Sequence, residues 1–142
     1  MNLTVSRLRW LRIFGAALAV VALSLVVVML VTAGYAFYLA YQARGAPDQS
    51  AINRFASGIS PIFVPWLECF LALILSFKIG RKTEAGSTTQ GLFIGILAGL
   101  LGLAVALFFR GHLSPSSVIF SLGVAGAGCL GGFLGEKWPA RK

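Results

Sequence analysis

Carboxylates and histidine are scarce in this chain. Among 142 residues the acids are Asp48, Glu68, Glu84 and Glu136, and His112 is the single histidine. A zinc site takes three or four protein ligands, whereas a lone imidazole in the turn RGHLSPSS offers one, so no metal centre is expected. The remaining role for His112 would be a pH-sensitive loop contact. No serine, cysteine or lysine is paired with a base in a way that suggests a nucleophile, which removes hydrolase chemistry. The two cysteines, Cys69 and Cys129, form no C-x-x-C motif, so a membrane-embedded thiol oxidoreductase is disfavoured as well. Charged residues make up only 11% of the sequence.

Apolar residues fill the space left by charge. They account for 58% of the chain, with a mean hydropathy of +0.87, far from the balance of a soluble domain. Four runs without Asp or Arg, Ile13–Tyr41, Pro61–Ile79, Gly91–Phe109 and Pro115–Leu134, predict four membrane-spanning helices in one domain covering 1–142. About 20 helical residues cross a hydrocarbon core of about 30 Å, so the last three fit with little excess. The first is roughly 43 Å long at 1.5 Å per residue and is expected to tilt or project beyond the bilayer. RLRWLR and the run after it resemble the start of a signal peptide, but the run is too long for an h-region. It is expected to remain as the first helix.

The net charge of +8 and pI near 10.4 would suggest nucleic acid if the cations formed one surface patch. They lie instead between the apolar runs. Arg7, Arg9, Arg12, Lys78, Arg81, Lys82, Lys137, Arg141 and Lys142 fall on one side, and Arg44, Arg54 and Arg110 on the other. The positive-inside bias then places both termini and the KIGRKTEAGSTTQ loop in the cytoplasm. Attraction to anionic headgroups accounts for the same residues, and no nucleic-acid partner is expected.

Ser60-Pro61 and Ser114-Pro115 mark the expected starts of the second and fourth spans, with Ser as N-cap and Pro at the first helical position. Eight residues after these serines come Glu68 and Leu122, so a duplication would repeat no chemistry. No span is expected to be broken by an internal proline. Trp10 and Trp138 are placed at the cytoplasmic interface; Tyr35, Tyr38, Tyr41, Trp66, Phe108 and Phe109 are placed toward the outer one. In the outer segment 42–60, Asp48 is suited to cap a short helix that lays Ile52, Phe55 and Ala56 on the membrane surface. An irregular connector is an equal alternative there.

Small residues indicate the helix contacts. The third span carries Gly91, Gly95, Gly99 and Gly102, and the fourth carries Gly123, Ala127, Gly131 and Gly135 at steps of four. Lipid tails are as apolar as leucine, so helices associate by close backbone approach, and these two rows are expected to let spans three and four cross tightly. GVAGAG superficially fits G-x-x-G-x-G, but it follows no strand and lies inside a span, so it is not a nucleotide loop. At roughly 12 and 21 Å below the outer boundary, Cys69 and Cys129 are too far apart for a bridge, which needs Cα atoms within about 7 Å. Both are expected to be packing residues.

The segments SFKIGRKTEAGSTTQGLFIGILAGLLGLAVAL and GVAGAGCLGGFLGEKW resemble a set of small four-span bacterial membrane proteins of unknown function. In those proteins a basic cytoplasmic loop leads into a Gly-rich third helix and then a Gly-rich fourth. The resemblance covers about the last 65 residues. It implies the four-helix layout and a bacterial setting, with no activity attached.

One residue carries chemical interest. Glu68 lies in FVPWLECFLALILSF, in line with Ala72, Ser76 and Gly80 on the small-residue face of its helix. An ionisable group at membrane depth is costly and marks a functional hypothesis. Depth matching gives it Tyr35, Thr32, Ser121, Gly102 and Gly123 as neighbours, without a cation, so a neutral, hydrogen-bonded acid is expected. Two roles stay open: a polar clamp between helices, or a proton or cation site. The sequence therefore predicts an all-α four-helix bundle in a bacterial inner membrane, without enzymatic activity or cofactor. Its expected role is a structural or accessory one beside a membrane partner or further copies of itself. The alternative is a small proton- or cation-linked transporter or channel that uses Glu68.

Overall fold

The structure is a computed structural model that describes residues 10–82, 86–110 and 115–138. Among these residues it contains no strand, and four long helices follow in order: α1 (Trp10–Ala43), α2 (Gln49–Gly80), α3 (Ser87–Arg110) and α4 (Pro115–Lys137). By length and composition each has a stretch able to cross a membrane. Where water is absent, an α-helix meets all its backbone hydrogen-bond demand internally, which is why such apolar sequence folds this way. Large apolar side chains such as Leu11, Leu30, Phe37, Ile119 and Leu122 point outward. A soluble monomer rarely leaves so much apolar surface uncovered.

The second helix corrects the expected boundaries. It begins at Gln49 rather than Pro61, so Ser60 and Pro61 are interior residues, and the outer connection shrinks to 44–48. Asp48 does act as N-cap, accepting from the Ser50 amide at 2.8 Å and from Ser50 Oγ at 3.0 Å. Its short helix is not separate; it is the first three turns of α2. Pro61 and Pro65 both lie inside the helix, against the expectation of no internal proline. Neither has an amide proton, so the carbonyls of Ser57 and Pro61 lose the donor that an ordinary residue four positions on would supply. Membrane helices tolerate such losses where neighbours or cavities take them up.

Pro115 is the first residue of α4, as expected, whereas Ser114 and His112 lie outside the described residues. Arg44, which ends α1, has φ +49°, a left-handed conformation in which most helices place glycine.

Glycine sets the packing, though not in the expected pairing. The α3 row meets Gly128 and Gly132 on α4, together with Ala125 and Ser121. A Cβ at Gly95 would come within 2.7 Å of Ala125 Cα, and one at Gly128 within 2.5 Å of the Gly91 carbonyl oxygen. The Gly123, Ala127, Gly131, Gly135 row faces elsewhere: Gly131 rests on Leu73 and Ser76, Gly135 on Phe77 and Gly80, and Gly123 near Cys69, all on α2. Helix α4 thus has two bare faces rather than one, and α2 takes the stripe assigned to α3. The abundance of glycine in GVAGAGCLGGFLG permits both contacts at once.

Between the helices lies a small-residue core of Ala17, Val20, Ala72, Ala98 and Val124, each at most 1% exposed. At the end where α2 and α4 finish, Ser87 Oγ donates to the Gly132 carbonyl at 2.8 Å, and Thr88 Oγ1 donates to Glu136 Oε2 at 2.8 Å. These bonds hold the start of α3 to the end of α4. They also bring a carboxylate to a helix N-terminus, where its charge is favoured.

Candidate functional site

Above this core the four helices diverge around a cavity of about 570 Å³. Helix α1 lines it with Val21, Leu25 and Met29, and α2 with Ser57, Pro61, Pro65 and Glu68. Gly99, Gly102 and Leu103 come from α3, and Ser116, Ser117, Phe120 and Ser121 from α4. The cavity runs from the level of Glu68 toward the end of the bundle where α1 finishes and α4 begins. On the other side, Ala72, one turn below Glu68, belongs to the close-packed core. The walls are mainly aliphatic.

Glu68 is buried, at 9% exposure, and is the one charged side chain among the described residues that line the cavity. Two features of the helices place it there. Gly102 has no side chain, which leaves room for the carboxyl: a Cβ at Gly102 would stand 3.0 Å from Oε2. On α1 the small Ser24 offers a hydroxyl in place of bulk. Ser24 Oγ lies 3.4 Å from Glu68 Oε1 and 2.8 Å from the carbonyl of Val21. A hydroxyl has one proton, and the shorter contact takes the greater share of it, so the bond to Glu68 is weak. The Ser24 contact is to Oε1, while Oε2 lies beside the bare Gly102.

The expected neighbours divide. Gly102 and Ser121 do join Glu68 at the cavity; Ser121 Oγ also packs against Gly99, where a Cβ would meet it at 2.5 Å. Tyr35 does not join them. Its ring stacks on Phe55 at a centroid distance of 3.9 Å and an interplanar angle of 14°, at the outer part of α2. Thr32 is half-buried on α1 but is not part of the cavity wall, and Gly123 faces Cys69 instead. The depth count took Pro61 as the start of α2, and the true start lies twelve residues earlier. With the helices aligned by the Tyr35–Phe55 stack, Ser24 comes level with Glu68. A hydroxyl in LSLVVV on a small-residue face, at the same distance from the helix centre, was the signal available for Ser24.

Other groups remain separate. Cys69 and Cys129 are both unpaired. Ser76 Oγ is buried between α2 and α4 without a partner among the described residues. No group of three or more metal-binding side chains occurs among the described residues. Glu68 in its cavity is therefore where ligand chemistry concentrates: one carboxyl, incompletely bonded, facing apolar space with serine hydroxyls on the opposite wall. Compared with family models, curated proteins and solved structures, the chain matches none.

Proposed function

We propose that this chain is a small non-enzymatic solute-binding protein of a bacterial inner membrane, acting as a proton- or cation-linked transporter. In this reading both termini and the loop between α2 and α3 face the cytoplasm, because nine of the twelve basic residues then lie on that side. The lipid bilayer is its first partner, and further copies of the chain its second. One observation carries the proposal: Glu68 ends a 570 Å³ cavity shared by all four helices, instead of being closed in by bonds within the bundle. Pockets of that size suit small molecules.

Transport fits this geometry better than an open channel. A pore would have to pass Ala17, Val20, Ala72, Ala98 and Val124, which fill the bundle below Glu68 without gaps for solvent. Access from the second side requires those helices to separate. The bare α2–α4 and α3–α4 contacts are close backbone packing, which such a separation would have to break.

A structural or accessory role beside a larger membrane partner is the second reading, favoured by the Ser24 to Glu68 contact, which ties α1 to α2 as a clamp would. Proteoliposomes distinguish the two. Transport requires cation-driven proton flux that disappears in Glu68→Gln while the variant retains its helicity; equal flux in both proteins refutes it. Stoichiometric recovery of a companion protein in mild detergent, with no flux in either protein, establishes the accessory role.

A further inference from the structure

We infer that the cavity takes an amphipathic organic cation, with its charge against Glu68 and its apolar body along the walls formed by Leu25, Val64 and Leu103. The inference rests on the solute-binding reading above and adds the chemical class of the solute.

Charge complementarity comes first. Among the described residues Glu68 is the one charged side chain on the lining, and none of them brings a Lys, Arg or His to the cavity. Once Glu68 is ionised an anion would meet a like charge without compensation among the described residues, and a neutral molecule would gain at most a hydrogen bond. A metal cation is poorly served too. Calcium takes six to eight oxygen ligands and magnesium six, whereas one carboxyl and scattered hydroxyls surround this space. Stripping a hydrated ion into an apolar cavity costs far more than transferring an organic cation whose charge is spread and already weakly hydrated.

Shape agrees with charge. The carboxyl occupies the deep end and the aliphatic walls extend from it for several turns, so a ligand with one charged end and an apolar body matches both. The Ser24 hydroxyl contacts Oε1 only weakly, at 3.4 Å, and Oε2 lies at the cavity wall beside the bare Gly102.

Binding is coupled to a proton. A cation and a proton compete for the same carboxyl: where the acid is protonated, the O–H bond breaks as the cation enters, the proton leaves to water, and the carboxylate remains paired with the cation. Charge is conserved: one positive charge enters and one departs. The groups facing Glu68 leave it free to do this alone. From α1 these are Val21 and Ser24, from α3 Gly99 and Gly102, and from α4 Ser121, none of them titratable. On α2 itself the adjacent Cys69 packs against the core instead.

Tetraphenylphosphonium and tetraphenylborate, near-identical in shape with charges of plus one and minus one, and the smaller neutral triphenylphosphine oxide test this. Binding to the full chain in nanodiscs would be measured by equilibrium dialysis. The phosphonium is expected to bind at least about tenfold more tightly than the borate, and Glu68→Gln is expected to remove that preference while leaving oxide binding unchanged. In the wild type, phosphonium affinity should rise with pH by up to about tenfold per unit, with one proton released per cation. Ala106→Phe fills the cavity and should weaken all three probes. Borate and phosphonium binding alike, or an unchanged preference in Glu68→Gln, overturns the cation assignment and leaves the cavity reading intact where the oxide still binds. If none of the three binds, both fall. Should Glu68→Gln fail to fold, proton release by the wild type decides: its absence refutes the proposal.

Discussion

The carboxyl of Glu68 on α2 rests against the bare backbone of Gly102 on α3, so closely that a methyl group on Gly102 would stand 3.0 Å from Oε2. The contact is backbone on one side and the tip of a flexible side chain on the other. Gly102→Ala is therefore expected to fold with a loss of less than about 1 kcal/mol, because the carboxyl can swing into the cavity. Its effect should fall on phosphonium affinity instead. Denaturation in mixed micelles together with dialysis separates the two quantities.

Backbone contacts elsewhere are not so forgiving. A Cβ at Gly128 meets the Gly91 carbonyl and the Gly95 backbone, and helix α3 or α4 must shift to admit it. Gly128→Ala is expected to cost about 1–3 kcal/mol. At Gly126 nothing lies within 4 Å, and alanine is the better helix former, so Gly126→Ala should be neutral or gain up to about 1 kcal/mol. Unfolding of both variants by SDS titration, followed by circular dichroism, checks the contrast. Equal losses would contradict the α3–α4 packing.

The Asp48 cap gives a pH dependence outside the membrane-spanning stretch. Hydrogen bonds from the Ser50 side chain and amide hold the Asp48 carboxyl below its ordinary range. A group with a depressed folded value contributes stability above its unfolded value, near pH 4, and loses it as pH falls through the folded one. Amide protection at Ser50 and Ile52 should therefore be full at neutral pH and fall in acid. Asp48→Asn, which caps without titrating, should flatten the profile, and Asp48→Ala should lower protection at every pH. Hydrogen exchange read by mass spectrometry supplies the measurement.

Arg44 closes α1 with φ +49°, where a side chain is strained and glycine is not. Arg44→Gly is expected to raise stability by about 0.5 kcal/mol, the relief of strain exceeding glycine's greater chain entropy. Thermal unfolding in detergent tests it, and a loss in place of a gain would show that Arg44 holds the turn by other contacts.

Much of the fold was legible because the solvent argument is coarse and strong. Four apolar runs separated by basic segments can satisfy their backbone in lipid only as helices, and four such helices appear. Finer features escaped. Ser60-Pro61 has the form of a helix start, yet α2 runs through it, because the polar segment QSAINRFASG is itself helical once Asp48 caps it. That misplaced start moved every depth on α2 and gave Glu68 the neighbours Tyr35 and Thr32 in place of Ser24. Glycine spacing identified one α4 row, Gly123 to Gly135, and assigned it to α3, whereas it meets α2 and Gly128 and Gly132 meet α3, since a helix bare on two faces gives no preference in sequence. Glu68 was conspicuous from composition alone; the cavity beside it depends on where three other helices diverge, which one-dimensional spacing does not encode.

The central claim is that the Glu68 carboxyl faces an accessible apolar cavity and is not sealed between helices. Dicyclohexylcarbodiimide, an apolar reagent that attaches to protonated carboxyls away from bulk water, tests this directly by intact-protein mass spectrometry. The account predicts a single adduct located at Glu68, absent from Glu68→Gln and formed more slowly when tetraphenylphosphonium is present. An unmodified Glu68 in protein that retains its helices, or an adduct whose rate the cation leaves unchanged, would contradict it.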